Sequence, residues 1–406
     1  MSSVFHGVRA PARRFPWSGL IVLAAAVFLS VTGETLPTGL LPDMAASFGV
    51  TEPQVGLLVT VFAFTVVASS APLTALTRRW PRHPMMVGVI AVLALSYLVS
   101  AFAPNYAVLV GTRVLGGIAH GMFWAVVGAY SGHLVPREQI GRAVSITLGG
   151  GTAAMIFGVP LATTFGHVFG WRMSFGVVAV LMLIAAVMVW RFLPAVERDE
   201  PHRNTQADIG GRDLRVLPVV LICVLAAILM VGHFVLYTYV APFLIDAMHL
   251  DAAAVGPMLF LYGLAGAVGL VLSGSVLGRN PQRSLVILLS VTSSAVFALA
   301  FFAAVPVAGI AAFVLWGLAF GALPALLQTR MLHAASPAFR DTASALYTTA
   351  FNVGIGGGAA LGAVVYGAFG VGRLPWVYAA VLVAAIVLAV VSGSSAQRGA
   401  RPQRAG

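Results

Sequence analysis

Long apolar stretches alternate with short polar ones along the whole chain. A helix that crosses a bilayer needs roughly 20 predominantly apolar residues, and the pattern predicts twelve such helices, the first of them a spanning helix rather than a removed signal peptide. They lie at about residues 17–41, 55–77, 85–103, 106–134, 141–166, 173–193, 215–245, 255–277, 284–303, 306–333, 343–369 and 374–392. Many contain Gly and Pro, which spanning helices tolerate.

The pattern of residues recurs after two hundred positions, which indicates a duplicated structural unit. The matches include Val55-Gly56 with Val255-Gly256, Pro42 with Pro242, and Gly158 with Gly358. We therefore predict an all-α membrane protein with twelve transmembrane helices in two pseudo-symmetric six-helix bundles. The expected boundaries are residues 1–194 for the first bundle, 195–213 for a polar cytoplasmic linker and 214–406 for the second bundle.

Composition supports a lipid environment. Hydrophobic residues make up 60% of the chain, charged residues only 9%, and the mean hydropathy is +0.97, whereas soluble domains carry about 25% charged residues. We therefore expect most of the surface of the protein to contact the lipid bilayer.

All basic residues other than histidine are arginines, and most fall in alternate loops together with both chain ends. Basic residues accumulate on the cytoplasmic side of membrane proteins. We therefore expect a multi-pass protein of the cell membrane with both termini in the cytoplasm. The net charge of +11 is explained by this topology, because its arginines are scattered over short loops, and no nucleic-acid partner is expected.

Several chemistries are excluded by missing residues. The chain has no lysine, which a nucleotide-binding P-loop requires, and it contains neither a G-x-S-x-G nor an H-E-x-x-H motif. The single cysteine, Cys223, cannot form an internal disulfide. We expect no enzyme activity, no cofactor and no metal site.

Ionisable residues inside the predicted helices are the main candidates for function, since such groups are costly in hydrocarbon. Glu34 lies seven residues before the outer end of the first helix, and Arg113 lies seven residues after the outer start of the fourth. At 1.5 Å per residue both lie roughly 10 Å deep, which makes them candidate partners for proton coupling. His120 and Trp124 follow Arg113 on the same helix face.

The repeat provides an internal control for these residues. The counterparts of Glu34, Arg113 and His120 are Phe234, Phe313 and Phe320, so the charges are additions to the shared framework. Two interpretations stay open for each. Glu34 either neutralises Arg113 or gains and loses a proton during transport. Arg113 either orients the helices or takes part in coupling, and His120 either bonds a neighbouring helix or contacts substrate.

Aromatic and imidazole side chains could line a substrate cavity. The candidates, besides His120, are Trp124, Phe123, His233 and Tyr237. Ring faces suit an apolar or ring-bearing substrate. The alternative interpretations are packing in the core, contact with lipid and, for His233, a hydrogen bond to the neighbouring helix.

Three motifs, which begin at Glu34, Arg113 and Gly150, resemble those of the major facilitator superfamily, specifically its twelve-span drug:proton antiporter branch. Glu34-Thr35-Leu36-Pro37-Thr38-Gly39-Leu40-Leu41-Pro42 is similar to the E-x-x-P-x-G-L-L-P start of sugar, nucleoside and chloramphenicol exporters. Arg113 to Gly117 resembles R-x-x-x-G, whose arginine is linked to proton transfer in the family. Gly150 through Gly158-Val159-Pro160 resembles the antiporter signature. Its glycines and proline are expected to let helix five bend and pack tightly against the other half.

One loop departs from the family pattern. Where the superfamily has G-x-x-x-D-R-x-G-R, this chain has Thr77 in place of the aspartate, followed by Arg78 and Arg82 as candidate gating residues. The resemblance implies a monomeric transporter that exports a small molecule in exchange for protons by alternating access. A proton-coupled importer or facilitator, and a membrane sensor that does not transport, are the alternatives.

Overall fold

The computed structural model describes residues 15–77, 79–136, 139–194, 216–275, 281–336 and 339–399. Arg78 and the expected linker at 195–213 lie outside the described residues.

Twelve helices in the described residues are long and apolar enough to cross a membrane, as the sequence predicts. They are α1 (Trp17–Gly39), α2 (Glu52–Thr77), α3 (Arg82–Ala101), α4 (Tyr106–His133), α5 (Ile140–Phe169), α6 (Trp171–Phe192), α7 (Val216–Tyr237), α8 (Val255–Ser275), α9 (Pro281–Phe302), α10 (Pro306–Ala334), α11 (Arg340–Phe369) and α12 (Leu374–Gly399).

The first helix of each half ends earlier than the apolar pattern predicts. α1 stops at Gly39, and Pro42 lies in the first turn of a separate short helix, Leu41–Phe48. After α7 the chain turns, then continues through Val240–Pro242 into a π-helical turn at Phe243–Ala247. Proline lacks a backbone N–H and restricts the residue before it. Both halves therefore have a helix break near the equivalent prolines, Pro42 and Pro242, although the sequence stays apolar across the break.

Helix contacts repeat between the two halves and confirm the two pseudo-symmetric bundles. In the first bundle α1 packs on α5 and α6, α2 on α4, and α3 on α4 and α6. In the second, α7 packs on α11 and α12, α8 on α10, and α9 on α10 and α12. The bundles meet along α2 with α11 and along α5 with α8, which are equivalent contacts under the same two-fold relation.

Glycines allow the closest approaches between helices. The glycines of α5 were expected to face the other half of the molecule, but they face α1. A Cβ at Gly150 would lie 2.1 Å from the carbonyl oxygen of Ala24, and one at Gly158 would lie 2.1 Å from Thr32 Oγ1. Both partners belong to α1 of the same bundle. Contact with the other half depends on a glycine of α8, Gly263, which lies against the backbone of α5. Small residues have this role at many membrane helix interfaces.

The bundles are joined at the end of the molecule that contains Glu52 and Tyr366, called here the Glu52 end. The Tyr366 hydroxyl donates to Glu52 Oε2 over 2.5 Å, and Thr60 Oγ1 donates to the carbonyl oxygen of Gly356 over 3.0 Å. Gly56 lies against the ring of Tyr239. Each of these contacts crosses from one bundle to the other and closes this end.

The opposite end, called here the Arg82 end, is lined differently. In the first half of α11, Thr348, Thr349 and Asn352 hydrogen-bond to carbonyl groups of their own helix; both threonines are exposed and the asparagine is half-buried. These polar groups keep their hydrogen bonds within the helix and can also bond to water, so contact with water costs no hydrogen bond. The exposed polar face indicates an opening between the bundles at the Arg82 end.

Candidate functional site

The candidate site lies where α1 and α4 cross. Gly33 leaves room for Tyr97, whose ring carbon Cζ would lie 2.4 Å from a Cβ at this position. Gly117 similarly lets α4 approach the backbone of α2, since a Cβ there would lie 2.8 Å from the carbonyl oxygen of Phe62. These close approaches, to α3 and to α2, flank the place where Glu34 of α1 and His120 of α4 meet.

The carboxylate of Glu34 contacts His120. Glu34 Oε2 lies 3.3 Å from His120 Nε2, and the side chain of Glu34 is 20% exposed while that of His120 is 5% exposed. Trp124 Nε1 donates to the same Nε2 over 2.7 Å, and the other ring nitrogen, Nδ1, lies 2.9 Å from Ser30 Oγ. His120 therefore connects α1 to α4 through both nitrogens.

This hydrogen-bond pattern restricts where protons can lie. An indole N–H only donates, so Nε2 of His120 is the acceptor, and the ring proton lies on Nδ1 and points to Ser30. A carboxylate of Glu34 then faces a nitrogen lone pair and gains no hydrogen bond from it. A protonated Glu34 can donate to that nitrogen, in competition with Trp124. The contact is therefore sensitive to one proton.

Arg113 is close to Glu34 but binds the main chain. Its Nη1 donates to the carbonyl oxygen of Gly33 over 3.3 Å, and its Nη2 donates to that of Glu34 over 2.7 Å. The guanidinium also lies over the ring of Phe62, 4.4 Å from the centroid. At 2% exposure, Arg113 fixes the backbone of α1 at Glu34 and leaves the carboxylate oriented toward His120.

Two neighbours of the site were not anticipated from sequence. Tyr97 donates its hydroxyl to the carbonyl oxygen of Ser30 over 3.2 Å, and Phe62 contacts Arg113 and, edge-on at 5.1 Å, His120. Both are aromatic residues in apolar helices, where core packing is the commoner role. The adjacent Gly33 is the one signal that a large ring approaches α1 here.

The structure places His233 and Tyr237 in the core of the second bundle, away from Glu34. His233 stacks on Phe320 with ring centroids 3.6 Å apart and planes 7° apart, and on Tyr237 at 4.9 Å. His233 is 3% exposed, and its Nδ1 has no hydrogen-bond partner within the described part of the chain. His233 is therefore packed by ring stacking, and its Nδ1 does not make the interhelical hydrogen bond considered for this residue.

The remaining candidates are distributed around the site. Phe123 is fully buried in the first bundle, while Trp124 is half-buried beside His120. Pro160 follows a π-helical turn at Ala154–Gly158 in α5, a feature frequent at functional sites. Arg82 is the first residue of α3, at the Arg82 end, and it is distant in sequence from both Glu34 and His120. The described residues contain no cluster of potential metal ligands.

Comparison with known proteins assigns the family of this twelve-helix protein. Residues 23–359 match the model of the Major Facilitator Superfamily. The chain belongs to this superfamily. It is 31% identical over 366 residues to a probable sugar efflux transporter of Helicobacter pylori, which covers 90% of this chain and 92% of that protein.

A second relative supports this assignment, and two solved structures share the fold. The chain is 34% identical over 367 residues to a chloramphenicol efflux pump of Mycobacterium tuberculosis, with 86% of this chain and 87% of the pump covered. A bacterial homologue of the human lysosomal transporter Spinster, solved inward-facing, superposes with a TM-score of 0.70 at 18% identity over 94% of this chain and 96% of its own. The human organic anion transporter MFSD10 gives 0.68 at 17% identity over 94% and 100%.

Proposed function

We propose that this chain exports a small molecule from the cytoplasm in exchange for protons, by alternating access, with the Arg82 end facing the cytoplasm. The efflux names of its relatives support the direction, and the arginine-rich loops support the orientation. The substrate belongs to the drug, sugar or nucleoside class. The cell membrane is the expected location, with both termini in the cytoplasm.

The observation that carries this proposal is the contact between Glu34 Oε2 and His120 Nε2. It is the one close contact between a carboxyl and an imidazole inside the spanning helices of the described chain. The 20% exposure of the Glu34 side chain leaves a route for a proton to reach it. Ionisable groups in such positions commonly relay protons in transporters.

The proton changes how α1 and α4 interact. A protonated Glu34 can donate to His120, whereas the ionised form loses that bond and is drawn toward the positive charge of Arg113. A ligand shifts a conformational equilibrium only through different affinities for the two states. Here the proton is that ligand. Its binding to Glu34 favours one of two arrangements of α1 against α4, and its release favours the other.

The two bundles are the moving parts of this mechanism. We assign residues 1–194 and 214–406 to them and 195–213 to their linker, as the duplication predicts. Opening of the Glu52 end and closing of the Arg82 end would carry the substrate outward. The membrane potential contributes about 2.3 kcal/mol per charge per 100 mV to inward proton movement. One chain provides both bundles, which supports a monomer as the working unit.

The test is substrate-induced proton flux in inverted vesicles that contain a pH-sensitive dye. Addition of the transported compound from a panel of sugars, nucleosides and chloramphenicol should collapse the proton gradient, and Glu34→Gln should abolish this response. Asp251→Asn is the matched control, because it also removes one carboxylate, but from an exposed loop. Retained proton flux in Glu34→Gln would rule out Glu34 as the coupling group.

A further inference from the structure

Ser30 contacts the ring nitrogen of His120 that Glu34 does not. Its hydroxyl oxygen lies 2.9 Å from His120 Nδ1, and its carbonyl oxygen accepts a hydrogen bond from the Tyr97 hydroxyl over 3.2 Å. Ser30 is fully buried and lies four residues before Glu34, so the two side chains share one face of α1. One helix face therefore contacts both nitrogens of the same imidazole ring.

Trp124 determines the direction of the contact between Ser30 and His120. Trp124 Nε1 donates to His120 Nε2 over 2.7 Å, so the ring proton of a neutral His120 lies on Nδ1, and the hydroxyl oxygen of Ser30 accepts it. Without that acceptor, a buried N–H would be left without a partner, which costs free energy. The proton would then be more stable on Nε2, where the carboxylate of Glu34 lies 3.3 Å away.

The two tautomers of His120 have opposite effects on Glu34. With the proton on Nδ1, the ring presents a lone pair to Glu34, whose carboxyl group gains a hydrogen bond only when it is protonated. With the proton on Nε2, the ring donates to the ionised carboxylate, and hydrogen bonds to a charged group are the stronger kind. The tautomer therefore determines which form of Glu34 the site stabilises.

The second half of the chain provides a control for Ser30, as it does for the charged residues. The counterpart of Ser30 is Met230, and the counterpart of Trp124 is Pro324. Met230 is buried as Ser30 is, so packing at this position of the repeat does not require a hydroxyl. The hydroxyl and the indole occur only in the half that contains the carboxyl group and the imidazole that they surround.

We propose that Ser30 is a positioning residue that keeps the ring proton of His120 on Nδ1, so that the site stabilises the protonated form of Glu34. Its consequence for transport rests on the function proposed above. An ionised Glu34 gains no hydrogen bond from this arrangement of α1 and α4, so the release of the proton favours a different arrangement. Ser30 thereby links the charge of Glu34 to the packing of the two helices.

Other charges near Glu34 do not depend on Ser30. Arg113 of α4 and Tyr97 of α3 act on Glu34 electrostatically, and both bind main-chain carbonyl groups. All other ionisable residues on the helices of the first bundle that pack against α1 lie in the first or last turn of their helix. A change of the Ser30 side chain removes none of these groups. A shift in the titration of Glu34 would therefore report the tautomer of His120.

The first test measures that tautomer by NMR of the ring nitrogens, in full-length protein in lipid with isotope-labelled histidine. The chain has nine histidines, so the His120 signals are taken as the difference between the parent and His120→Gln. The parent should carry the proton on Nδ1, and Ser30→Ala should move it to Nε2. Ser30→Cys keeps the size of serine but offers only a weak acceptor, and should give a mixture. Ser30→Thr, which keeps a hydroxyl, should restore the parent tautomer.

The second test follows the titration of Glu34 by infrared absorption of its protonated carboxyl group, as the difference from Glu34→Gln. Ser30→Ala should lower the midpoint by at least about one pH unit, because a hydrogen bond to a charged group then favours the ionised form. The pH profile of substrate-induced proton flux should move in the same direction. Ser96→Ala is the matched control, because Ser96 is also buried and donates to the carbonyl oxygen of Thr112 on the neighbouring helix. It should change neither readout.

The outcomes separate this inference from the proposed function. An unchanged tautomer in Ser30→Ala, a midpoint that stays or rises, or equal effects of Ser96→Ala would overturn the role of Ser30. Retained proton flux in Glu34→Gln, together with a shifted tautomer and infrared midpoint in Ser30→Ala, would leave the role of Ser30 intact and rule out only Glu34 as the coupling group.

Discussion

Arg113 shows how a single buried side chain can fix the geometry of a site without pairing with its charge. Two of its nitrogens bind the carbonyl groups of Gly33 and Glu34, and its plane lies over Phe62. Lysine keeps the charge but lacks the planar fork and the stacking surface. The effect of Arg113→Lys therefore distinguishes a positioning role from simple charge neutralisation.

We expect Arg113→Lys to lose transport while the protein still folds and inserts. Loss of a hydrogen bond from a charged donor costs about 1.5–3 kcal/mol, enough to release the backbone of α1 at Glu34. Substrate-induced proton flux and thermal melting in detergent measure the two effects. Arg172→Lys is the control, because Arg172 also donates to two acceptors, Ser47 Oγ and the carbonyl oxygen of Ala103. Full transport by Arg113→Lys would mean that charge alone suffices.

The sequence singled out Glu34, Arg113 and His120 as candidates, but it predicted neither their contacts nor the approach of Tyr97 and Phe62. The depth of Glu34 and Arg113 follows from residue counts, and the phenylalanines of the second half mark the charges as additions. Residue counts give height in the membrane, but they do not give the direction of a long side chain. Arg113 extends to main-chain carbonyls, and the carboxylate contacts His120 instead. Trp124, four residues after His120, determines which imidazole nitrogen is the acceptor.

At the level of helices, the adjacent Gly149 and Gly150 of α5 give a matched pair of substitutions. Gly150→Ala places a methyl group against the backbone of Ala24, whereas at the adjacent Gly149 an added Cβ meets nothing within 4 Å. Overpacking typically costs about 1–3 kcal/mol, so Gly150→Ala should lower the melting temperature and separate α1 from α5. Gly149→Ala should be neutral or stabilise the helix by up to about 1 kcal/mol. Equal melting of the two variants would contradict this packing.

Helices were easier to predict than their breaks and faces. All twelve spans follow from hydropathy, because a bilayer demands apolar length. The ends of α1 and α7 and the π-helical turn before Pro160 depend on local backbone hydrogen bonds that hydropathy does not register. The direction of Gly150 and Gly158 toward α1 was likewise missed, since small residues indicate a close contact but do not name the partner helix.

At the level of the whole molecule, closure of the Glu52 end gives a measurable conformational equilibrium. Val59 and Ala63 of α2 pack against Ile355 and Ala359 of α11 in an apolar contact between the bundles. Ala359 is fully buried there. A cysteine at this position reports opening of the Glu52 end by reacting with a water-soluble maleimide. The single native cysteine, Cys223, is first replaced by alanine.

In this background, Tyr366→Phe should increase the labelling rate of Ala359→Cys. The tyrosine hydroxyl donates to Glu52 across the bundles, and a hydrogen bond to a carboxylate contributes about 1.5 kcal/mol or more, which corresponds to roughly tenfold in population. Tyr106→Phe is the matched control, because that hydroxyl donates to the carbonyl oxygen of Gln54 within the first bundle. Tyr106→Phe should leave the labelling rate unchanged. The hydrogen bond it removes is also at the Glu52 end, but it does not join the two bundles. Equal labelling of both variants would mean that the phenol of Tyr366 does not hold the bundles together, and the apolar contact around Ala359 would then be sufficient for closure.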